Sequence, residues 1–267
     1  MIAVVRSELI RIWRPSFRYV GIGVMSAFSV MISIFIYASL DSGGDGGGGG
    51  GLPGSGGTSA ADLAQPGGML ASLDSVASIA GIVLLALWAI AVATDYDTGL
   101  IRILVQAQPS RTKLLGGKII ALTLFTLLAT TVTTLVTAMA ARPLARLYDV
   151  DTEPWRTDFG LELLTGWFNF TVPALVWGLI GLTIAMLTRS SGIAIAAGIG
   201  YLLVVENLIA IAAPDITDYL PGGTLAALAS GGTTDLTWAA AFGLTTAYGL
   251  AAVALATLAF RNRDVTS

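Results

Sequence analysis

The sequence contains no cysteine and no histidine, and only 12% of its residues are charged. The missing cysteines exclude disulfides, thiolate metal sites and thiol nucleophiles, and the missing histidines exclude a Ser-His-Asp triad. We therefore expect neither a metal site nor catalytic residues of these kinds. Soluble domains carry about 25% charged residues, so the scarcity of charge, together with 55% hydrophobic residues, indicates a membrane protein.

Six apolar runs are long enough to cross a bilayer as helices of about 20 residues each. They lie at residues 19–40, 76–94, 119–141, 167–187, 192–213 and 236–260. We predict an all-α membrane protein in which residues 1–267 form a single transmembrane domain with six transmembrane helices. The first run is longer than a signal-peptide core and no A-x-A site closes it, so we interpret it as a retained first span.

Basic residues are distributed unevenly between the predicted loops. Six spans place both termini on the same side, and eleven of the fourteen Lys and Arg residues fall on that side. The exceptions are Arg142, Arg146 and Arg156. The positive-inside rule therefore predicts cytoplasmic N- and C-termini in a multi-pass protein of the cell inner (plasma) membrane. The preference for Arg over Lys and the abundance of Ala and Gly suggest a bacterial gene.

Residues 1–18 alternate apolar and basic positions with helical spacing. The apolar positions are Ile2, Val5, Leu9, Ile12 and Trp13, and the basic ones are Arg6, Arg11, Arg14 and Arg18. This pattern is typical of a basic amphipathic helix that lies at the cytoplasmic lipid surface. A positive tail that only fixes the topology is the alternative. Pro15 marks a predicted bend before the first span.

Residues 41–75 form a predicted outer loop that is rich in glycine. Its stretch at 43–57 cannot bury enough apolar surface to order itself. No lysine follows these glycines in the G-x-x-x-x-G-K-[ST] pattern, and the Gly117-Lys118 pair fails the same pattern because Ile119 follows it. We therefore expect no nucleotide-binding motif in this chain.

Residues 95–118 form a charged segment between the second and third apolar runs. Asp97 or Thr98 can cap a short helix that begins near Leu100 and is too apolar for a solvated linker. The Pro109-Ser110 pair then predicts the start of a helix that runs into the third span. Such a short helix either docks on a partner surface or folds back on the protein's own helix ends, with Asp95 and Asp97 pairing with Arg102 or Arg111.

The same segment resembles the first cytoplasmic loop of the type-2 ATP-binding-cassette (ABC) exporter permeases. The shared features are an acid four residues before a glycine (Asp95, Gly99), a Leu/Ile/Val run, a proline just ahead of an arginine (Pro109, Arg111) and a Gly-Lys pair (Gly117, Lys118). The amphipathic N-terminus, the six spans and the long first outer loop extend the resemblance to the layout of the whole chain. In two departures, Thr98 precedes Gly99 instead of following it, and only Ser110 separates Pro109 from Arg111.

The resemblance implies a permease subunit that forms a dimer with a second copy or a related permease. It also implies a separate ABC ATPase subunit, which binds ATP and Mg²⁺, and a coupling helix in residues 95–118 that docks on this ATPase. The coupling residues so implied are Asp95, Asp97, Gly99, Leu100, Arg102, Leu104, Pro109, Arg111 and Lys118. This chain is then expected to be no enzyme and to bind no cofactor or nucleic acid. The family further implies an outer re-entrant pair, for which residues 214–235 are the candidate; an ordinary outer loop explains the same residues.

Polar residues inside the predicted spans are candidates for a substrate pathway. Glu206 is the clearest ionisable one, and carboxylates in a membrane are costly enough to be functional candidates. It can contact substrate, bind a proton, or be neutral and hydrogen-bonded to Asn207 or a neighbouring helix. Thr126, Thr130 and Thr133 lie along one face of the third span, where close packing is favoured over a polar pathway.

The predicted spans carry few charges, and an apolar pathway between them suits a hydrophobic drug, lipid or peptide as substrate. The alternative function is a proton-coupled secondary transporter that uses Glu206, although no internal repeat of the kind common in such transporters is evident.

Overall fold

The computed structural model describes residues 2–41, 58–107 and 110–262. Within these residues the regular structure is entirely helical, so the predicted all-α class is confirmed. The α-helices are α1 (Ile2–Ile12), α2 (Pro15–Arg18), α3 (Met25–Asp41), α4 (Ala60–Leu63), α5 (Ser72–Asp97), α6 (Leu100–Ala107), α7 (Arg111–Leu147), α8 (Phe159–Thr188), α9 (Ser191–Gly200), α10 (Glu206–Ala212), α11 (Pro221–Ala229) and α12 (Trp238–Asn262). A π-helical turn, Tyr19–Val24, joins α2 to α3, and a second, Tyr201–Val205, joins α9 to α10.

Six helical segments of the described chain are long and apolar enough to cross a membrane. They are Tyr19–Leu40, Gly68–Asp97, Arg111–Leu147, Phe159–Thr188, Ser191–Ala212 and Trp238–Arg261. Each contains one of the predicted apolar runs or nearly coincides with it, as expected for a multi-pass membrane protein. The 37 residues of α7 extend roughly 55 Å at about 1.5 Å per residue, which exceeds the ~30 Å hydrocarbon core. Helix α7 therefore continues beyond the apolar run at 119–141 into the polar region. It begins where the Pro109-Ser110 pair predicted.

Helices α5 and α8 form the centre of the bundle. They contact each other along their length by placing a large side chain of one helix over a glycine of the other. Trp177 of α8 lies over Gly81 of α5, and Trp88 of α5 lies over Gly178 of α8. Small residues at such positions let helix backbones approach closely in membranes, where packing rather than the hydrophobic effect drives association.

The predicted outer loops at residues 41–75 and 214–235 both contain helical structure. Of the predicted outer loop at 41–75, the structure describes residues 58–75, which form α4, a 3₁₀ turn and the start of α5. Leu63 and Met69 are buried there, and Trp155 Nε1 donates to the carbonyl oxygen of Leu63 at 2.8 Å. The predicted loop thus extends too far, because α5 already begins at Ser72. Its glycine-rich stretch lies outside the described residues.

Residues 214–235 fold into a 3₁₀ helix, Pro214–Tyr219, followed by α11. Leu225 and Leu228 of α11 are buried, and α11 packs against α5, α8 and α12. This segment is therefore part of the packed bundle rather than an extended connection. The connection between the fourth and fifth spans is short, since α8 ends at Thr188 and α9 begins at Ser191.

The contact between α5 and α8 leads to a test with Gly181→Ala. A methyl group on Gly181 would overlap the carbonyl oxygen of Leu85, a backbone atom that cannot move without displacing α5. We expect the free energy of unfolding to fall by about 1–3 kcal/mol, measured by denaturant titration in mixed micelles.

Gly243→Ala is the matched control for this substitution, because a methyl group there meets nothing within 4 Å. Alanine favours a helix by up to ~1 kcal/mol over glycine, so the control should be neutral or slightly stabilising. Equal effects of the two substitutions would contradict the close α5–α8 contact.

Candidate functional site

The predicted short helix between the second and third spans is present as α6. It follows Gly99, whose φ of 68° lies in the left-handed region that glycine adopts without strain. Thr98 Oγ1 donates to the carbonyl oxygen of Thr94 at 2.6 Å, back into α5 rather than forward into α6. Gly99 thus separates two helices that would otherwise run on as one.

Helix α6 has one face on the protein and one face exposed. Ile101 and Leu104 are half-buried and pack against the bundle core, whereas 62% of Ile103 is exposed. Leu104 therefore behaves as the fold-back alternative predicts, while Ile103 presents an apolar side chain outward. The side chain of Arg102 and all of Pro109 lie outside what the structure describes.

Four charged side chains from three helices meet beside α6, and we call them the charge cluster: Glu8 and Arg11 of α1, Asp95 of α5 and Lys118 of α7. Lys118 Nζ lies 2.7 Å from Asp95 Oδ2 and 2.9 Å from Glu8 Oε2. Arg11 Nη1 lies 2.9 Å from Glu8 Oε1, and Arg11 Nη2 pairs with Asp95 Oδ1. Each acid thus contacts both bases. Glu8, Asp95 and Lys118 are buried, and Lys118 Nζ also donates to the carbonyl oxygen of Ala91 at 3.1 Å.

The two neighbouring carboxylates favour the charged form of Arg11. Burial lowers the pKa of Arg11, but the hydrogen bonds and negative charges of Asp95 and Glu8 outweigh this effect and raise the pKa above its ordinary value. Buried ion pairs gain little net stability over apolar packing, but removing one member leaves an uncompensated charge. The cluster therefore holds α1, α5 and α7 together at the two ends of the segment that carries α6.

Sequence patterns missed part of this cluster. Asp95 pairs with Arg11 and Lys118, partners that the sequence did not indicate. The signal for Glu8 is its position one turn from both Val4 and Ile12, which places it on the face of α1 that packs. Helix α1 rests on α7 where Gly117 provides the space: a methyl group on Gly117 would collide with the side chain of Val4.

Other residues of the 95–118 segment attach it to the remaining spans. Arg111 Nη1 donates to the carbonyl oxygens of Phe260 at 3.1 Å and Arg261 at 3.4 Å, the last turn of α12. A cation is favourable at a helix C-terminus because of the free carbonyl groups there. Leu100 begins α6 and is half-buried, and Asp97 is exposed at the end of α5.

Glu206 lies at a second site, at the junction of the second π-helical turn and α10. Its side chain is buried, and its Oε1 accepts a hydrogen bond of 2.7 Å from the N–H of Gly222 at the start of α11. Tyr201 is a second hydrogen-bonding partner. Asn207 does not bond to Glu206; its Nδ2 donates to the carbonyl oxygen of Leu203 at 3.0 Å, within the π-helical turn. Of the predicted alternatives, a hydrogen bond to a neighbouring helix is thus observed.

A cavity of about 250 Å³ lies beside Glu206, between α5, α8, α10 and α11. We call it the Glu206 cavity. Its lining includes Ser78, Trp177, Leu202, Asn207 and Leu225. Most of the other lining residues have apolar side chains.

The threonines of the third span lie elsewhere, in helix contacts. Thr126, Thr130 and Thr133 are fully buried and do not line the Glu206 cavity. Trp88 Nε1 donates to Thr126 Oγ1 at 3.0 Å, and Thr171 Oγ1 donates to Thr130 Oγ1 at 2.9 Å. These bonds join α7 to α5 and α8, so Thr126 and Thr130 take part in helix contacts.

A family model described as "Protein of unknown function (DUF2705)" matches residues 51–266. The match covers most of the chain, so the chain belongs to this family. No curated protein matches the sequence. Function must therefore be argued from the two sites.

The charge cluster leads to a test with Lys118→Met. Glu8 and Asp95 would then share only Arg11, and we expect the free energy of unfolding to fall by about 3–5 kcal/mol, as for other broken buried ion pairs. The measurement is denaturant titration in mixed micelles. Arg156→Met is the matched control, since Arg156 and Glu153 form an exposed pair at 3.7 Å whose loss changes stability by less than about 1 kcal/mol.

The double variant Glu8→Gln/Lys118→Met should be more stable than the sum of its two single changes implies, because removing both charges leaves Asp95 with Arg11. Additive effects would mean that Glu8 and Lys118 do not interact.

Proposed function

We propose that this member of the DUF2705 family is the transmembrane permease subunit of an ATP-driven ABC exporter. It forms the substrate pathway as a dimer, with a second copy or a related permease, and is coupled to a separate ATPase subunit through residues 95–118. ATP and Mg²⁺ bind to that ATPase, and this chain catalyses no reaction. The observation that carries the proposal is α6, a short helix with an exposed apolar side chain, fixed between two spans by buried ion pairs.

The construction of α6 suits docking into a groove on another protein. Ile103 projects outward, and apolar side chains on one face of a helix are the usual anchors in helix-in-groove recognition. Ile101 and Leu104 hold the opposite face on the bundle core. A helix supported in this way resists bending, so a push from the ATPase displaces the spans instead of deforming α6.

The charge cluster supports transmission of such a push. Because Asp95 and Lys118 pair with each other and with α1, the ends of α5 and α7 move with α1 as one unit. Helix α5 then continues from Asp95 to Ser78, which lines the Glu206 cavity. Asp95 and Ser78 are 17 positions apart, a rise of about 26 Å along the helix, so a single rigid element connects the docking helix to the proposed pathway.

The proposal assigns sides to the bundle. The termini and α6 are cytoplasmic, and the Glu206 cavity with α11 faces the opposite side of a bacterial inner membrane. Helix α1 then lies at the cytoplasmic lipid surface, where 86% of Ile2 and 47% of Trp13 are exposed. The fifth span is the least buried of the six, which leaves an apolar surface for lipid or for the second permease.

One observation favours the alternative of a proton-coupled secondary transporter. Glu206 is buried, and in the described part of the chain no basic residue forms an ion pair with it, as expected for a group that exchanges a proton. That class predicts flux driven by a pH gradient without any ATPase and abolished by Glu206→Gln. The exporter predicts no such flux.

The docking role of α6 leads to a test with Ile103→Asp. We expect an ABC ATPase gene beside the gene of this chain; the two proteins are co-expressed, and the ATPase that copurifies is quantified. An Ile anchor contributes about 1.5–3 kcal/mol when buried, so binding should weaken roughly tenfold or more. Thermal stability of the permease should not change, because Ile103 is exposed. Leu104→Asp is less informative, since Leu104 packs on the protein's own core.

Ile216→Asp is the matched control, because Ile216 is 49% exposed in the 3₁₀ helix that follows the fifth span. It should leave copurification unchanged. Undiminished ATPase binding by the Ile103 variant, or transport by the chain without any ATPase, would contradict the proposal.

A further inference from the structure

Among the residues that the structure describes, the lining of the Glu206 cavity includes a carboxylate and no Lys or Arg. Its polar lining consists of the Glu206 carboxylate, the Asn207 amide and the hydroxyl groups of Ser78 and Thr217. In the charge cluster each buried acid contacts two bases, whereas Glu206 has no cationic partner among the residues that the structure describes. Buried charges in proteins are paired or bind a ligand of opposite charge. The site therefore lacks the positive charge, a proton or a bound cation, that would neutralise Glu206.

The carboxylate is also held in place. The N–H of Gly222 and the side chain of Tyr201 are its two hydrogen-bonding partners, one from α11 and one from the π-helical turn. Gly222 provides the room: a methyl group at this position would overlap the Glu206 carboxylate. Preorganisation of this kind reduces the cost of ordering a site when a ligand binds.

The remaining lining decides which cation fits. Hard metal ions need several oxygen ligands, as Ca²⁺ does with six to eight, and the cavity offers one carboxylate. Trp177, Leu202 and Leu225 instead provide apolar walls, and a tryptophan ring attracts organic ammonium groups through its π face. The volume of about 250 Å³ is small for a drug-sized ligand, so it suits a small amine or the head of a longer molecule.

We infer that the Glu206 cavity binds an organic cation, a protonated or quaternary amine with an apolar body, whose charge Glu206 neutralises. The inference gives a substrate class to the pathway proposed above and rests on that proposal for transport of the amine. Binding itself requires only this chain. A proton on Glu206 is the competing occupant, and it predicts no binding of quaternary amines.

The probe is benzyltrimethylammonium, titrated calorimetrically into the purified full chain in lipid nanodiscs. Wild type should bind it saturably, and Glu206→Gln should weaken binding at least tenfold while keeping an acceptor for the Gly222 N–H. Glu153→Gln is the matched control, because the Glu153 side chain is 81% exposed and outside the cavity; it should bind as wild type does. The anion phenylacetate, of similar size, should not compete.

A second variant keeps the carboxylate and removes the space. Ala226 has an exposed side chain at the cavity wall, so Ala226→Phe should fill the cavity without disturbing the core and should also abolish binding. Absence of saturable binding to wild type, or equal binding by wild type and the Glu206 variant, would overturn the inference. Loss of amine binding would leave ATPase association through Ile103 untouched, and the reverse also holds, so the two proposals fail separately.

Discussion

The ion pairs among Glu8, Arg11, Asp95 and Lys118 are the interaction on which the proposed working of this protein depends. Four charges of alternating sign meet there, three of them buried and that of Arg11 partly exposed. Each helix that carries one of them is held in place because a buried charge without its partner is costly. Helix α6 connects α5 to α7, and the cluster joins these two helices, so the cluster fixes the position of α6 relative to the bundle. A docking helix on a flexible linker would absorb an applied force, whereas one anchored on both sides passes it to the spans.

Glu206 differs from the buried acids of the charge cluster, each of which pairs with two basic side chains. Glu206 receives hydrogen bonds but no positive charge within the described chain, and space is left beside it. A buried charge without a partner is costly. In the charge cluster this cost holds the helices together, and in the cavity it favours binding of a cation. Helix α5 belongs to both places, through Asp95 in the cluster and Ser78 in the cavity lining. Its close contact with α8 over Gly178 and Gly181 keeps this connection stiff.

The sequence predicted those features that depend on neighbouring residues. The six spans follow from runs of apolar residues, and α6 follows from a short apolar stretch after Gly99. The Pro109-Ser110 pair predicted the start of α7, which begins at Arg111. Other helix ends were predicted less well: α5 begins at Ser72 and α7 ends at Leu147, because polar residues can continue a helix that the apolar pattern no longer requires. The sequence left residues 214–235 open between a re-entrant pair and an ordinary outer loop, because the nine residues of α11 are rich in glycine and alanine and carry little periodic signal.

By itself the sequence determined the all-helical class and the number of spans, because length and apolarity are local properties that the bilayer or the core must satisfy. Only the tertiary structure decided which polar groups meet. Arg11 and Asp95 are 84 residues apart, and Glu206 and Gly222 lie on different helices. Such pairings depend on the rotation and register of each helix, which are fixed by large side chains packing over glycines of a neighbour. That is why Asp95 and Lys118 could be singled out as important while their partners Arg11 and Glu8 could not be identified.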